Sequence, residues 1–64
     1  MSAQAVSQLG PPLLGADEVA SHLGCSVELV YKLRRQGRLK AVRIGSVFRW
    51  RPSVVEAFVK ASEE

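Results

Sequence analysis

The side chains with the clearest chemical potential in this 64-residue chain are cations, and they are concentrated in its middle. Residues 26–51 hold eight basic side chains against one acidic side chain, a net charge of +7, whereas the rest of the chain carries −4. The basic residues of this segment are Lys32, Arg34, Arg35, Arg38, Lys40, Arg43, Arg49 and Arg51. A basic block of this kind indicates a nucleic acid or an anionic membrane surface as partner. The alternative is an ordinary solvated face.

Residue types that support catalysis or metal binding are sparse. The chain contains one cysteine, Cys25, and one histidine, His22, without the ligand spacing of a zinc site. No serine or carboxylate is placed to make His22 a catalytic base, and Cys25 is typical of a small buried apolar residue. We therefore predict a protein that is not an enzyme and that needs no metal or other cofactor.

The length and the hydropathy pattern limit the architecture and the compartment. Sixty-four residues suffice for one small domain with an economical core. No signal-peptide pattern is present, and no apolar run reaches the roughly 20 residues of a membrane span. We therefore expect a cytoplasmic protein, associated with the nucleoid because of its basic block.

Two short amphipathic helices are predicted in the first half of the chain. The first covers residues 16–23 and ends at Gly24, and the second covers residues 27–36 and ends at Gly37. At about 100° per residue, the apolar and polar side chains of the second helix separate. The side predicted to face the core contains Leu29, Val30 and Leu33. The outward side contains Glu28, Tyr31, Lys32 and Arg35.

The segment 41–51 has the β-branched and aromatic composition of a hairpin, with Gly-Ser near its centre. A two-residue loop, 45–46, would mix arginine with apolar side chains on both faces, whereas a three-residue loop, 45–47, separates them. We therefore predict the three-residue loop, with both aromatic rings in the core rather than stacked on single-stranded nucleic acid. The apolar face would contain Val42, Ile44, Phe48 and Trp50. The basic face would contain Ala41, Arg43, Arg49 and Arg51.

A final helix is predicted over residues 53–61, because Pro52 suits a first helical turn and an apolar stripe follows it. The stripe contains Val54, Val55, Phe58 and Ala61. Together these elements form one domain over residues 13–62. Residues 1–12, which are small and polar and end in Gly-Pro-Pro, are predicted to form a flexible arm, and residues 63–64 a frayed tail.

The first two helices have the residues that a sharp helix-turn-helix requires. Ala20 is small enough to let the second helix approach closely, and Gly24 can adopt the left-handed conformation of the turn. Apolar residues flank the turn on both sides: Val19, Leu23, Cys25, Val30 and Leu33. This constellation resembles the helix-turn-helix of DNA-binding regulators.

The resemblance extends over residues 13–59, from LLGADEVASHLGCSVELVYKLRRQGRLKAVRIGSVFRW to VVEAFV. This stretch resembles the small excisionase-type branch of the MerR-like winged-helix families. Their pattern joins an E-V-A helix, G-x-S, V-Y-x-L, G-x-L, A-x-R-I-G and a closing L-E-A-F helix. The resemblance implies a mainly α-helical fold with a small β-hairpin, a winged helix-turn-helix. It also implies double-stranded DNA binding, often by cooperating neighbouring monomers, in a recombination directionality factor or a transcriptional regulator.

Candidate DNA contacts are predicted from residue type and position. Tyr31, Lys32 and Arg35 are placed in the major groove or on its phosphates, because arginine can read guanine with two hydrogen bonds and the others can hold a phosphate. Glu28 either accepts from the amino group of cytosine or pairs with Lys32 one turn later, and the pair is favoured because phosphates repel a carboxylate. Ser26 is an N-cap whose hydroxyl could also meet a phosphate. The other candidates, at the helix start, in the following loop and in the wing, are Val27, Arg38, Lys40, Arg43, Arg49 and Arg51.

The predicted function is sequence-specific binding of duplex DNA. The helix 27–36 would lie in the major groove and the wing 41–51 on the backbone or in the minor groove. Expected partners are DNA, neighbouring copies of the protein, and an integrase or RNA polymerase, with no membrane and no small-molecule effector. The alternative is a protein-interaction adaptor on the same scaffold, with Val27, Leu29 and Val47 as exposed apolar contacts.

Overall fold

The computed structural model describes residues 11–64. In chain order its elements are helix α1 (Ala16–Leu23), helix α2 (Val27–Arg35), strands β1 (Val42–Ile44) and β2 (Val47–Arg49), and helix α3 (Pro52–Ser62). The two strands form an antiparallel hairpin. This arrangement confirms the mainly α-helical fold with a small hairpin, and each predicted helix end is correct to within one residue. The predicted flexible arm falls mainly on residues 1–10, outside the described residues.

Helices α1 and α2 end in the same type of glycine turn. Gly24 has a φ of 68°, and the N–H of Cys25 beyond it donates to the carbonyl of Ala20 at 2.9 Å. Gly37 has a φ of 75° and ends α2 with the equivalent pair of backbone hydrogen bonds. A left-handed glycine followed by this long reverse hydrogen bond satisfies the last carbonyls of a helix. The first turn redirects the chain so that only three residues separate the end of α1 from the start of α2.

The helix starts are capped by three different devices. The Ser26 hydroxyl accepts a hydrogen bond from the N–H of Leu29 at 3.1 Å, which confirms the predicted cap of α2. Gly15 has no side chain to offer α1, but the Glu18 carboxylate accepts from its N–H at 2.8 Å, which is half of a capping box. Helix α3 begins with Pro52, whose missing N–H costs nothing in a first turn.

The hydrophobic core collects apolar side chains from every element except the strands themselves. Its buried members are Val19, Ala20, Val30, Leu33, Leu39, Trp50 and Val55. Trp50 is fully buried and its indole N–H donates to the carbonyl of Leu39 at 3.3 Å. Leu39 is also fully buried, although it was not predicted to belong to the core. The position of Leu39 just after the glycine that ends α2 folds it back under that helix.

The chain before α1 is attached to the end of the hairpin. The N–H of Leu14 donates to the carbonyl of Trp50 at 2.8 Å, and the N–H of Trp50 donates to the carbonyl of Leu14 at 2.8 Å. This reciprocal antiparallel bridge places the start of the domain beside Trp50, two residues before α3 begins. The bridge at Leu14 therefore helps to position α1, which begins two residues later.

The predicted register of the hairpin is wrong. The structure pairs Ile44 with Val47 and Arg43 with Phe48, which leaves a two-residue loop, 45–46, instead of the three-residue loop. Gly45 has a φ of 64°, whereas Ser46 has a negative φ. A glycine at the first of two loop positions is the arrangement of a type II′ turn, whose twist matches that of a hairpin.

The physical reason for this error is that the hairpin is not amphipathic. Separation of apolar and basic side chains selects a register only where one face of a sheet is buried. Here Ile44 is 53% exposed and Val47 is 44% exposed, because the tip projects beyond the core. One face carries Val42, Ile44, Val47 and Arg49, and the face turned to α2 carries Arg43 and Phe48. The turn chemistry therefore decided the register.

Two further core assignments are corrected. Leu29, predicted on the core side of α2, is 40% exposed and lies at the edge of a crevice beside α3. Ala61, predicted in the apolar stripe of α3, is exposed near the end of that helix. In both cases the domain is too small to cover the full width of an apolar helix stripe.

We expect the left-handed turn at Gly24 to contribute measurably to the stability of the fold. Gly24→Ala should lower the free energy of unfolding by about 1 kcal/mol, since a Cβ at positive φ is strained. A Cβ built at Gly24 meets no atom within 4 Å, so steric overlap does not contribute. Denaturant unfolding followed by circular dichroism measures this loss. Gly24→Asn is the matched control, because asparagine tolerates this conformation better; equal losses in both variants would contradict the explanation.

Candidate nucleic-acid interface

The outer face of α2 carries three exposed charged side chains. Glu28, Lys32 and Arg35 are exposed, and a rotation of about 100° per residue places them opposite the buried Val30 and Leu33. Because the core holds the inner side of the helix, these three side chains are presented to solvent in a fixed orientation. Glu28 and Lys32 were predicted to pair, but they form no ion pair in the described part of the chain.

Tyr31 does not share this outward orientation. It is half-buried, and its ring meets the ring of Phe48 edge-on, with centroids 6.4 Å apart and planes at 68°. It meets the indole of Trp50 in the same way at 5.9 Å and 69°. Such edge-to-face contacts are favourable packing geometries. The ring of Tyr31 therefore holds the hairpin against α2, and its direct contact with DNA stays a prediction.

Arg34 joins the same cluster and was not among the predicted site residues. Its guanidinium carbon lies 4.1 Å from the centroid of the Phe48 ring, a cation–π contact. The available signal was its spacing of three residues from Tyr31, which puts both side chains on the flank of α2 that meets the hairpin.

The two strand arginines do not form the predicted common basic face. Arg43 lies opposite Phe48 in the register, with its guanidinium carbon 5.8 Å from that ring, and its Nε donates to the Gly45 carbonyl at 3.0 Å. Arg49 pairs with Val42 on the other face, and its Nη1 donates to the carbonyl of Phe48 at 2.8 Å. Arg43 is therefore on the side of the hairpin that faces α2, and Arg49 is on the far side.

The remaining basic candidates lie away from the α2–hairpin surface. Arg38 and Lys40 border a crevice beside α3, and the guanidinium carbon of Arg38 is 5.8 Å from the centroid of the Phe58 ring. Arg51 precedes α3 and lies beside Leu13 at the start of the domain. All three are exposed. The structure thus brings together the exposed face of α2 and Arg43, with Ser26 and Val27 at the helix start.

The residue types that bind metal ions do not cluster in the described part of the chain. Residues 11–64 contain no group of three or more histidine, cysteine or acidic side chains able to hold a metal ion. Cys25 is a free, half-buried thiol, and His22 is exposed. Within the same range, every helix is too short or too polar to cross a bilayer.

These features define the class of protein. Two helices joined by a left-handed turn, an exposed second helix and a hairpin beside it form a winged helix-turn-helix. The profile of the family described as "Helix-turn-helix domain" matches residues 13–62, and the chain belongs to this excisionase-like family. It is a DNA-binding helix-turn-helix protein, of a family that is typically not enzymatic. Comparisons with curated proteins and with solved structures gave no significant match.

The split of the strand arginines predicts unequal effects on DNA binding. Arg43→Ala should weaken binding to duplex DNA and lower the slope of log affinity against log salt by about one unit, the value for one phosphate contact. Arg49→Ala removes the same charge from the far side of the hairpin, and we expect little change in the slope. Fluorescence anisotropy of a labelled duplex over a salt series measures both. Equal salt slopes in the two variants would contradict the prediction that DNA contacts only the face of the hairpin that carries Arg43.

Proposed function

We propose that this protein binds specific sites on double-stranded DNA, with α2 in the major groove and the hairpin on the adjacent backbone or in the minor groove. The observation that carries the proposal is the exposed outer face of α2, with Lys32 and Arg35 opposite a buried apolar side. A helix held in this way can present its charged face to a groove without reorganising its core.

The dimensions of α2 suit this placement. The major groove is about 12 Å wide and admits the diameter of an α-helix. The nine residues of α2 span roughly 14 Å along the axis of the helix. Arg35 could form two hydrogen bonds with guanine, and the exposed Val27 at the helix start could contact a thymine methyl group. Lys32 and the Ser26 hydroxyl are suited to phosphates. Phosphate contacts would fix the register, and the base contacts would supply the sequence preference.

The size of the domain supports cooperation between copies on DNA. A single module of this size buries too little DNA surface to give high specificity alone. We propose binding to repeated sites by neighbouring copies, in a small recombination directionality factor or a transcriptional regulator. An integrase or RNA polymerase would then be the protein partner. Both roles would use the same DNA-binding surface.

The experiment that tests this function is selection from random duplex DNA at two salt concentrations, followed by sequencing of the retained fraction. Specific binding predicts enrichment of a short motif, and cooperating monomers predict that the motif repeats at a fixed spacing. The affinity should fall steeply with salt. No retention at low salt would contradict the proposal.

The side chain of Arg35 is expected to contribute to sequence preference. Arg35→Ala should weaken binding to the selected site by ~1–3 kcal/mol and relax the preference at one base pair. Lys60→Ala is the control, since it also removes one exposed cation but from α3. Repeating the selection with each variant measures the preference at every position. An unchanged motif for Arg35→Ala would remove this residue from base recognition.

The second candidate function is a protein-interaction adaptor, which the exposed apolar residues favour. Ile44 and Val47 are cross-strand partners on the far face of the hairpin, and both are exposed. Val27 and Leu29 are about 40% exposed, but they lie on opposite flanks of α2 and do not extend this pair into one surface. DNA binding is therefore the better supported function. An adaptor would retain no DNA in the selection even at low salt, and its binding to a protein partner would depend only weakly on salt.

A further inference from the structure

Two arginines lie against one aromatic ring where α2 meets the hairpin. The guanidinium carbon of Arg34 lies 4.1 Å from the centroid of Phe48, and that of Arg43 lies 5.8 Å from the same centroid. The two cations reach the ring from different elements, one from α2 and the other from β1. We call this group, Arg34, Phe48 and Arg43, the arginine crevice.

The charges in the arginine crevice are not balanced by the described part of the protein. Arg34 forms no ion pair and donates no hydrogen bond within residues 11–64, and its Nε atom is buried without a partner. Burying a hydrogen-bond donor without an acceptor is unfavourable, and two nearby like charges repel. An anion that accepts hydrogen bonds from the terminal N–H groups would offset the repulsion between these two cations, whereas the Nε atom of Arg34 is shielded from solvent and out of its reach. Since α2 and the hairpin flank this position, a phosphate of the DNA backbone is the anion that the proposed docking would bring closest.

We propose that the arginine crevice is a phosphate-binding site, in which Arg34 and Arg43 hold the DNA backbone at the junction of α2 and the wing. This inference rests on the proposed function. The contact with Phe48 restricts where the Arg34 guanidinium can lie before DNA arrives. A planar guanidinium offers a phosphate two parallel hydrogen bonds. The wing is thereby bound to the backbone at a fixed distance from the bases that α2 contacts.

The first test compares Arg34→Ala with Lys60→Ala, a matched loss of one charge on α3. Affinity for a labelled duplex carrying the selected motif, and for an unrelated duplex, is measured over a salt series. We expect Arg34→Ala to lower affinity about tenfold on both duplexes and to reduce the salt slope by about one unit. Lys60→Ala should leave the slope unchanged. Arg34→Lys keeps the charge but lacks the planar guanidinium group. It should therefore restore the salt slope but only part of the affinity.

A second measurement separates phosphate binding from a purely structural contact. Phe48→Leu removes the ring while retaining an apolar side chain, and thus leaves Arg34 unpositioned. If the ring acts through Arg34, then Arg34→Ala should cost less affinity in the Phe48→Leu background than in the wild-type chain. Thermal unfolding of each variant confirms that binding is measured on folded protein.

The source of the phosphate is tested with neutral methylphosphonate groups placed one at a time along the selected duplex. A methylphosphonate at one position should weaken DNA binding by the wild-type protein but not by Arg34→Ala. If no position has this effect, and inorganic phosphate competes with the duplex at matched ionic strength, then the crevice binds a free anion and the proposal is overturned. An unchanged salt slope for a folded Arg34→Ala, with the motif still bound, would overturn it while leaving the proposed function intact. Absence of duplex binding by the wild-type chain would refute the proposed function itself.

Discussion

The burial of one side chain, Trp50, is the constraint on which the rest of the domain depends. Its indole N–H is bonded to the carbonyl of Leu39, its backbone is paired with Leu14, and its ring is packed against Tyr31. A nine-residue helix and three-residue strands are too short to be stable alone in water. Packing around this indole allows both to persist. The orientation of α2 and the hairpin is consequently set from inside the domain, before any ligand is bound.

The helical part of the fold could be predicted from the sequence because its signals are local. Ser26 and Pro52 each mark a helix start through their own backbone or side-chain chemistry, and Gly24 and Gly37 mark the ends through positive φ. None of these signals depends on the rest of the molecule. The full burial of Leu39 was missed because a single leucine in a loop has no periodicity, and only the three-dimensional arrangement shows that it is buried and that its carbonyl accepts the indole N–H of Trp50.

The wing could not be predicted at the same level because its geometry depends on which face meets α2. The criterion of separating apolar from basic side chains assumed a buried face, whereas Ile44 and Val47 are exposed and Gly45 determines the loop. The resulting shift moved Arg43 and Arg49 to opposite faces. On α2 the outward Lys32 and Arg35 follow directly from helical periodicity. Side chains on the flank of a helix are harder to predict, because their burial depends on the neighbouring element.

Packing between α2 and the hairpin also couples the two surfaces proposed to contact DNA. Tyr31 and Arg34 project from one flank of α2 onto Phe48, so a rotation of the helix would displace the wing with it. Interlocked aromatic contacts resist small sliding motions because close-packed side chains have few alternative arrangements. The spacing between the base contact proposed for the outer face of α2 and the phosphate contact proposed for the wing is therefore set by the folded protein. A small domain with few base contacts gains selectivity in this way, since DNA whose groove width does not match that spacing loses one set of contacts.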